Sequence, residues 1–397
     1  MLKSLLKVIS SNILIQLIGV LSFPILVLVY TVEDISYLGT FIAYITILSI
    51  ICSFRAENNL FIIKSIRQCE SLAYFLYALS IIIGFILLIL LSIASQFLDL
   101  ADDLIYKLSV FGGVCYAIFN IKYNLLVRNK KENQFIRLKI IRMSLELLAI
   151  FLAYLLSFDI SIYITLLCLT YLIPSLKKER ISKSILLFFA GFNVFKNKIS
   201  NVKYDFPASL LSVLTIYFPI LYFFIIDEKI FSGIYFLLNR FIGAPSLLIA
   251  QSFNITLKQY ATHEFLTRKS CSHTVNNAAN LLLIKMLPLY ILSGIAVAVF
   301  YKFYLSIYMQ ETALFFLIVL PIFITRFFFN CFSSIIYVMG LFKTNLTFQC
   351  IALFTSTLTL ITPMEMETKI LYFSFFVSLY YITYTLYILL LGNKEFN

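Results

Sequence analysis

Charge is scarce in this chain. Asp, Glu, Lys and Arg together make up 13% of its 397 residues, while 61% are hydrophobic and the mean hydropathy is +0.97. So few charges cannot cover a globular surface of this size, which excludes a soluble domain. The net charge of +12 would suggest nucleic acid in a soluble protein. Here the cations collect in particular connections and report topology instead, so no nucleic-acid partner is expected. Cys-x-x-Cys pairs are missing: Cys52, Cys69, Cys115, Cys168, Cys271, Cys331 and Cys350 are scattered and mostly apolar in context. That argues against a disulfide framework or zinc site and reads them as packing residues, and neither a metal nor a cofactor is called for. No small-residue cleavage site follows Lys3 and Lys7, and the apolar run continues to Tyr30, which marks a first span rather than a signal peptide. External connections long enough to form a domain are also lacking.

What is present is a series of twelve apolar runs, at 8–30, 35–54, 72–98, 104–127, 140–157, 160–176, 206–226, 230–253, 279–301, 312–339, 346–363 and 369–391. A helix needs about 20 residues to cross a hydrocarbon core of about 30 Å, so the pattern predicts an all-α polytopic membrane protein of about twelve transmembrane helices. Alternate connections are basic (Lys3 and Lys7; Arg55, Lys64 and Arg67; 128–139; 177–203; Lys258, Arg268 and Lys269; Lys343; Lys394). The others carry acids, among them Glu33-Asp34, Asp102-Asp103, Asp227-Glu228 and Glu365 with Glu367. The positive-inside rule then places both termini in the cytoplasm. Two six-helix lobes, 1–176 and 206–397, flank a cytoplasmic amphipathic connection, 177–205. Its apolar seam of Ile181, Ile185, Phe188, Phe192, Phe195 and Ile199 is too short to cross and suits the membrane interface.

The lobes carry traces of a duplication. Phe218-Pro219-Ile220-Leu221 repeats Phe23-Pro24-Ile25-Leu26, and an acidic pair and an aromatic-x-Gly turn follow each copy (Glu33-Asp34 with Tyr37-Leu38-Gly39; Asp227-Glu228 with Phe231-Ser232-Gly233). Two repeats meeting at a midplane site are the architecture expected of a secondary transporter.

Polar residues inside the spans mark the candidate site. Asn239-Arg240 interrupts the eighth span near its middle, and Arg240, Leu247, Gln251, Asn254 and Lys258 share one helical stripe. The tenth span repeats the arrangement with Arg326, Asn330, Ser333 and Tyr337. A central arginine costs about 3 kcal/mol by insertion scales and therefore faces protein or a wet cavity. With no carboxylate within the depth of this half, the two arginines invite an anion. Lys285 lies just inside the ninth span, where snorkelling competes with a binding role. In the N-terminal half, Asn12 and Gln16 share a face of the first span, and Tyr116, Asn120 and Tyr123 share one of the fourth, with Lys122 beside them. Arg142 and Glu146 stand one turn apart in the fifth, as either an ion pair or an ion-coupling carboxylate. Arg55 and Glu57 fall at the cytoplasmic end of the second span. The candidate substrate-binding set is thus Arg240, Arg326, Lys285, Gln251, Asn330, Gln16, Asn120 and Lys122.

Together these features resemble the O-antigen flippases of the multidrug/oligosaccharidyl-lipid/polysaccharide exporter superfamily. The likeness runs over most of the chain. It is carried by Asn12, Gln16 and Pro24, by Tyr37-Leu38-Gly39, by Arg55-Ala56-Glu57, by Asp205-Phe206-Pro207, and by Pro219, Ser232-Gly233, Arg240, Pro245 and the run from Leu247 to Phe253. Asn58-Asn59 departs from the small apolar continuation of that pattern. The resemblance implies a non-enzymatic flippase of the bacterial inner membrane. Its substrate would be undecaprenyl-pyrophosphate-linked oligosaccharide, Arg55 and Glu57 would act at a cytoplasmic gate, and membrane lipid, a polysaccharide polymerase and a chain-length regulator would be its partners. Arginine's planar fork suits pyrophosphate oxygens, and Asn, Gln, Ser and Tyr suit sugar hydroxyls. Another ion-coupled exporter of the superfamily and a membrane polymerase or glycosyltransferase remain as alternatives.

Overall fold

The computed structural model describes residues 25–61, 65–97, 103–129, 131–175, 184–243, 270–282 and 312–392, with isolated positions between them. Its elements are α-helices: α1 Val32–Ser53, α2 Ile66–Phe97, α3 Asp103–Arg128, α4 Glu132–Leu156, α5 Ile160–Ser175, α6 Ser184–Asn197, α7 Ile199–Ile225, α8 Lys229–Leu238, α9 Ser272–Leu281, α10 Thr312–Phe332, α11 Ser334–Val338, α12 Phe342–Ile361 and α13 Met366–Gly392. A 3-10 turn, Ala56–Phe61, follows α1, and a π-helical segment, Asn239–Gly243, extends α8. Seven of the described helices are long and apolar enough to cross a membrane, namely α1, α2, α3, α7, α12, α13 and a stretch of α10 continuing to Ile336. The chain is a multi-pass, all-α membrane protein.

The helices overlap the apolar runs but often start earlier. The helix of the fifth run, α4, begins at Glu132 rather than 140 and that of the seventh run, α7, at Ile199 rather than 206, because hydropathy marks the buried length while the hydrogen-bonded helix continues through its polar entry. The apolar runs at 8–30 and 279–301 lie largely outside the described residues.

Two compact units make up the chain, Met1–Gly233 and Ile234–Asn397. Lipid tails are as apolar as leucine, so helices in a membrane associate through close packing and interhelical hydrogen bonds. In the first unit α3 crosses α1 at Gly112 and Gly113. A Cβ on Gly112 would stand 2.9 Å from Ile45 and one on Gly113 2.7 Å from Leu48. α6 lies along α2, where the Phe75 ring meets Phe188, Phe192 and Phe195 at centroid distances of 5.3, 5.7 and 5.3 Å. Phe188, Phe192 and Phe195 of the apolar seam thus pack on α2. Both turn copies of the sequence repeat fall in this unit. Thr31 and Asp34 form a capping box at the start of α1, and Lys229 at the start of α8 sits over the Tyr37 ring. In the second unit α10 packs on α13. Tyr384 stacks on Phe348 at 4.0 Å and donates its hydroxyl to Asn345 Oδ1 at 2.7 Å.

Candidate functional site

Each unit has its own polar cluster at span depth. In the second, α8 runs into the π segment at Asn239. A π turn adds a residue to the helical repeat and re-aims the side chains it carries; such turns occur frequently at functional sites. Asn239 Oδ1 accepts a hydrogen bond from Arg326 Nη1 at 3.4 Å, and Arg326 is only 8% exposed. Tyr235 of α8 and Tyr381 of α13 lie close enough to feel its charge. Among the described residues no carboxylate stands within salt-bridge range of Arg326. Arg240, the next residue of the π segment, is half-buried. Further along, Asn254 Nδ2 donates to the Asn330 carbonyl at 2.7 Å and to Ser333 Oγ at 2.9 Å. Of the two polar stripes read from the sequence, Asn254 of the first meets Asn330 and Ser333 of the second; Arg326 is met instead by Asn239, which lies off the stripe of Arg240. Asn330 contributes its backbone oxygen rather than its amide.

The cluster of the first unit is built on α3, α4 and α5. Arg142 Nη2 donates to Glu146 Oε2 at 3.1 Å and to the Tyr171 hydroxyl at 3.0 Å. Its guanidinium also lies 4.3 Å from the Tyr171 ring centre, and Tyr116 packs on Tyr171 at 4.8 Å. Glu146 is 1% exposed, so the carboxylate is both deep and paired. The face read from the fourth span and the pair read from the fifth meet at Tyr171, a residue that no periodicity singled out. Lys122 is buried and donates Nζ to the Ser175 carbonyl at 2.8 Å. That places its charge at the C-terminal end of α5, where the helix dipole favours a cation. Asn120 is half-buried on α3.

A third cluster closes the end of α1. Phe54 and Arg55 have φ of 50° and 54°, left-handed conformations that ordinary side chains seldom adopt. This turn feeds the 3-10 segment, where Arg55 Nη1 meets Glu57 Oε1 at 3.4 Å. Burial pushes the Glu57 carboxyl above its ordinary pKa, against the pull of Arg55. Asn58 Nδ2 donates to Asp205 Oδ2 at 2.8 Å, Asn201 Nδ2 to Asn59 Oδ1 at 3.5 Å, and Arg128 to the carbonyls of Leu60 and Ile63 at 3.1 and 2.6 Å. The ring of Phe54 meets that of Phe206 at 5.2 Å. Asn58-Asn59, which departs from the family pattern, is therefore the anchor of the 3-10 segment on α7. Gln16, Gln251 and Lys285 lie outside the described residues.

No family model matches the chain, and no curated protein matches it in sequence. Solved structures do match. An inward-facing multidrug resistance MATE family transporter of the MOP superfamily is similar over 98% of this chain and 97% of its own, with a TM-score of 0.66 at 14% identity. A MOP superfamily transporter from Pyrococcus furiosus, described as having a binding pocket of reversed polarity that suggests a different function, matches over 97% of this chain and 93% of its own, with a TM-score of 0.62 at 12% identity. A MATE protein solved in complex with MaD3S matches over the same shares with a TM-score of 0.60 at 11% identity. The chain has the fold of MOP-superfamily transporters.

Proposed function

We propose that the chain is a flippase that moves an undecaprenyl-pyrophosphate-linked oligosaccharide, the repeat unit of O-antigen or a related surface polysaccharide, from the cytoplasmic to the periplasmic leaflet of the bacterial inner membrane by alternating access. The observation that carries this reading is the buried Arg326, held by a neutral amide rather than a carboxylate and followed by Asn330 on its helix and Ser333 just beyond its end. A cationic centre at span depth suits a pyrophosphate, and the hydroxyl and amide groups beside it suit sugars. Arg240 is the second headgroup cation. The fold favours transport over polymerase or glycosyltransferase chemistry, and the structural neighbour with a pocket of reversed polarity shows the same fold associated with more than one pocket chemistry. Both termini are cytoplasmic in this account, with Arg55 and Glu57 at a cytoplasmic gate.

A second reading, an ion-coupled exporter of another substrate, draws on Glu146, a buried carboxylate of the kind that exchanges a proton or cation. In the flippase account Glu146, paired with Arg142, supplies coupling and the arginines of the second unit supply substrate binding.

The test is display of surface polysaccharide by a strain lacking its own flippase and expressing wild type, Arg240→Ala or Arg326→Ala at matched membrane abundance. Wild type restores display and the alanine variants do not. Full display by both variants would remove the arginines from the headgroup site.

A further inference from the structure

We infer that Asn239 and Gly243 act together as a positioning device that aims the Arg326 guanidinium at its anionic ligand; this rests on the headgroup reading of Arg326. Arg326 projects from α10 on a long, rotatable stem, and a charge so mounted binds well only if its orientation is fixed beforehand. Asn239 supplies the fixing contact through Oδ1. That placement needs glycine at 243, because a Cβ there would lie 2.5 Å from Asn239 Oδ1 and 3.2 Å from the Phe323 ring. Glycine at 243 therefore leaves the space that the Asn239 side chain occupies. The π segment brings these two residues into one turn.

The chemistry of the fixing group matters as much as its place. An amide oxygen orients a guanidinium without cancelling its charge, whereas a carboxylate there would form an ion pair and compete with the anion. A guanidinium carries five N–H donors. The Asn239 contact uses one of them, on Nη1.

Binding of farnesyl pyrophosphate to the purified full-length chain, with farnesol as the uncharged control, tests the device. Arg326→Ala is expected to weaken farnesyl pyrophosphate binding at least about tenfold and to leave farnesol unchanged. Asn239→Ala and Gly243→Ala are each expected to weaken it about three- to tenfold, as for one ordinary net hydrogen bond. The double variant should be no worse than either single one, since both remove the same contact. Asn239→Asp keeps the shape and is expected to weaken binding as much as Arg326→Ala; it answers the question if Gly243→Ala fails to fold. Normal binding by the Asn239 and Gly243 variants, with Arg326→Ala impaired, would overturn the positioning role and leave the headgroup reading standing. Equal losses for farnesyl pyrophosphate and farnesol would make the pair merely structural. Normal binding by Arg326→Ala would overturn the headgroup reading itself.

Discussion

The side-chain amide of Asn58 donates to the carboxylate of Asp205 at 2.8 Å, joining two positions that are 147 residues apart. It fastens the 3-10 segment after α1 to the first turns of α7. Asp205 is 9% exposed, and a buried acceptor that loses its donor pays a desolvation cost of about 1–3 kcal/mol. Asn58→Leu is therefore expected to lower the thermal midpoint of the detergent-solubilised protein, while Asp205→Asn, which keeps an amide oxygen as acceptor, costs less. Equal midpoints for Asn58→Leu and wild type would show that the contact carries no stability.

The buried pair on α4 gives an asymmetric expectation. Removing one partner of a buried ion pair strands the other, at a cost of about 3–5 kcal/mol. Arg142→Leu should accordingly destabilise the protein more than the Arg142→Leu/Glu146→Leu double variant does. Glu146→Gln keeps the hydrogen-bonding shape and is expected to fold, yet to lose the dependence of transport on the proton or sodium gradient. Unchanged gradient dependence in that variant would make the pair structural.

Glu264 predicts a pH effect outside the spans. Its carboxylate accepts the backbone N–H groups of His273 at 3.0 Å and Thr274 at 2.9 Å, at the start of α9. Burial alone would raise its pKa; the hydrogen bonds from Thr274 and His273 outweigh that and hold the carboxyl below its ordinary value of 4.5. A depressed pKa stabilises the fold above the unfolded value, and that stability is lost as pH falls through the folded value. Thermal midpoints of wild type and Glu264→Gln should therefore differ near neutrality and converge on acidification below pH 4.5. A constant difference across that range would contradict the capping role.

Topology is checked by accessibility. On a cysteine-free background, needed because Cys350 is exposed, a cysteine at Lys196 should react only with reagent reaching the cytoplasm and one at Glu365 only with external reagent. Both positions are exposed. The reverse labelling would invert the assigned orientation.

Much of this architecture was legible in the sequence because hydropathy follows burial in lipid. The run 104–127 differs by a residue at each end from Asp103–Arg128. The central arginines stood out because a charge inside an apolar run is costly. What could not be read was the choice of partner. Asn239 looked like an interruption beside Arg240, and its role depends on a π turn, which changes backbone hydrogen-bond register without changing hydropathy. Asn58-Asn59 looked like a departure from a pattern, yet its partners Asp205 and Asn201 lie on a distant helix. Lys122 looked like a cavity cation, and a helix end that only the fold brings near accepts its charge. Tyr171 fell on no polar stripe, since its hydroxyl is reached by Arg142 from another helix.

The account's central claim is tested most directly by measuring flipping itself. Wild type, Arg240→Ala, Arg326→Ala and Arg326→Lys would be reconstituted at equal density in vesicles containing a fluorescent short polyprenyl-pyrophosphate-linked disaccharide, and its leaflet exchange followed by quenching. Wild type should exchange the lipid; Arg326→Lys, which keeps the charge and loses the bidentate fork, should be slowed; the two alanine variants should exchange it at least about tenfold more slowly, a barrier change of about 1.4 kcal/mol or more. Exchange at the wild-type rate by both alanine variants would contradict the claim that these arginines hold the anionic headgroup.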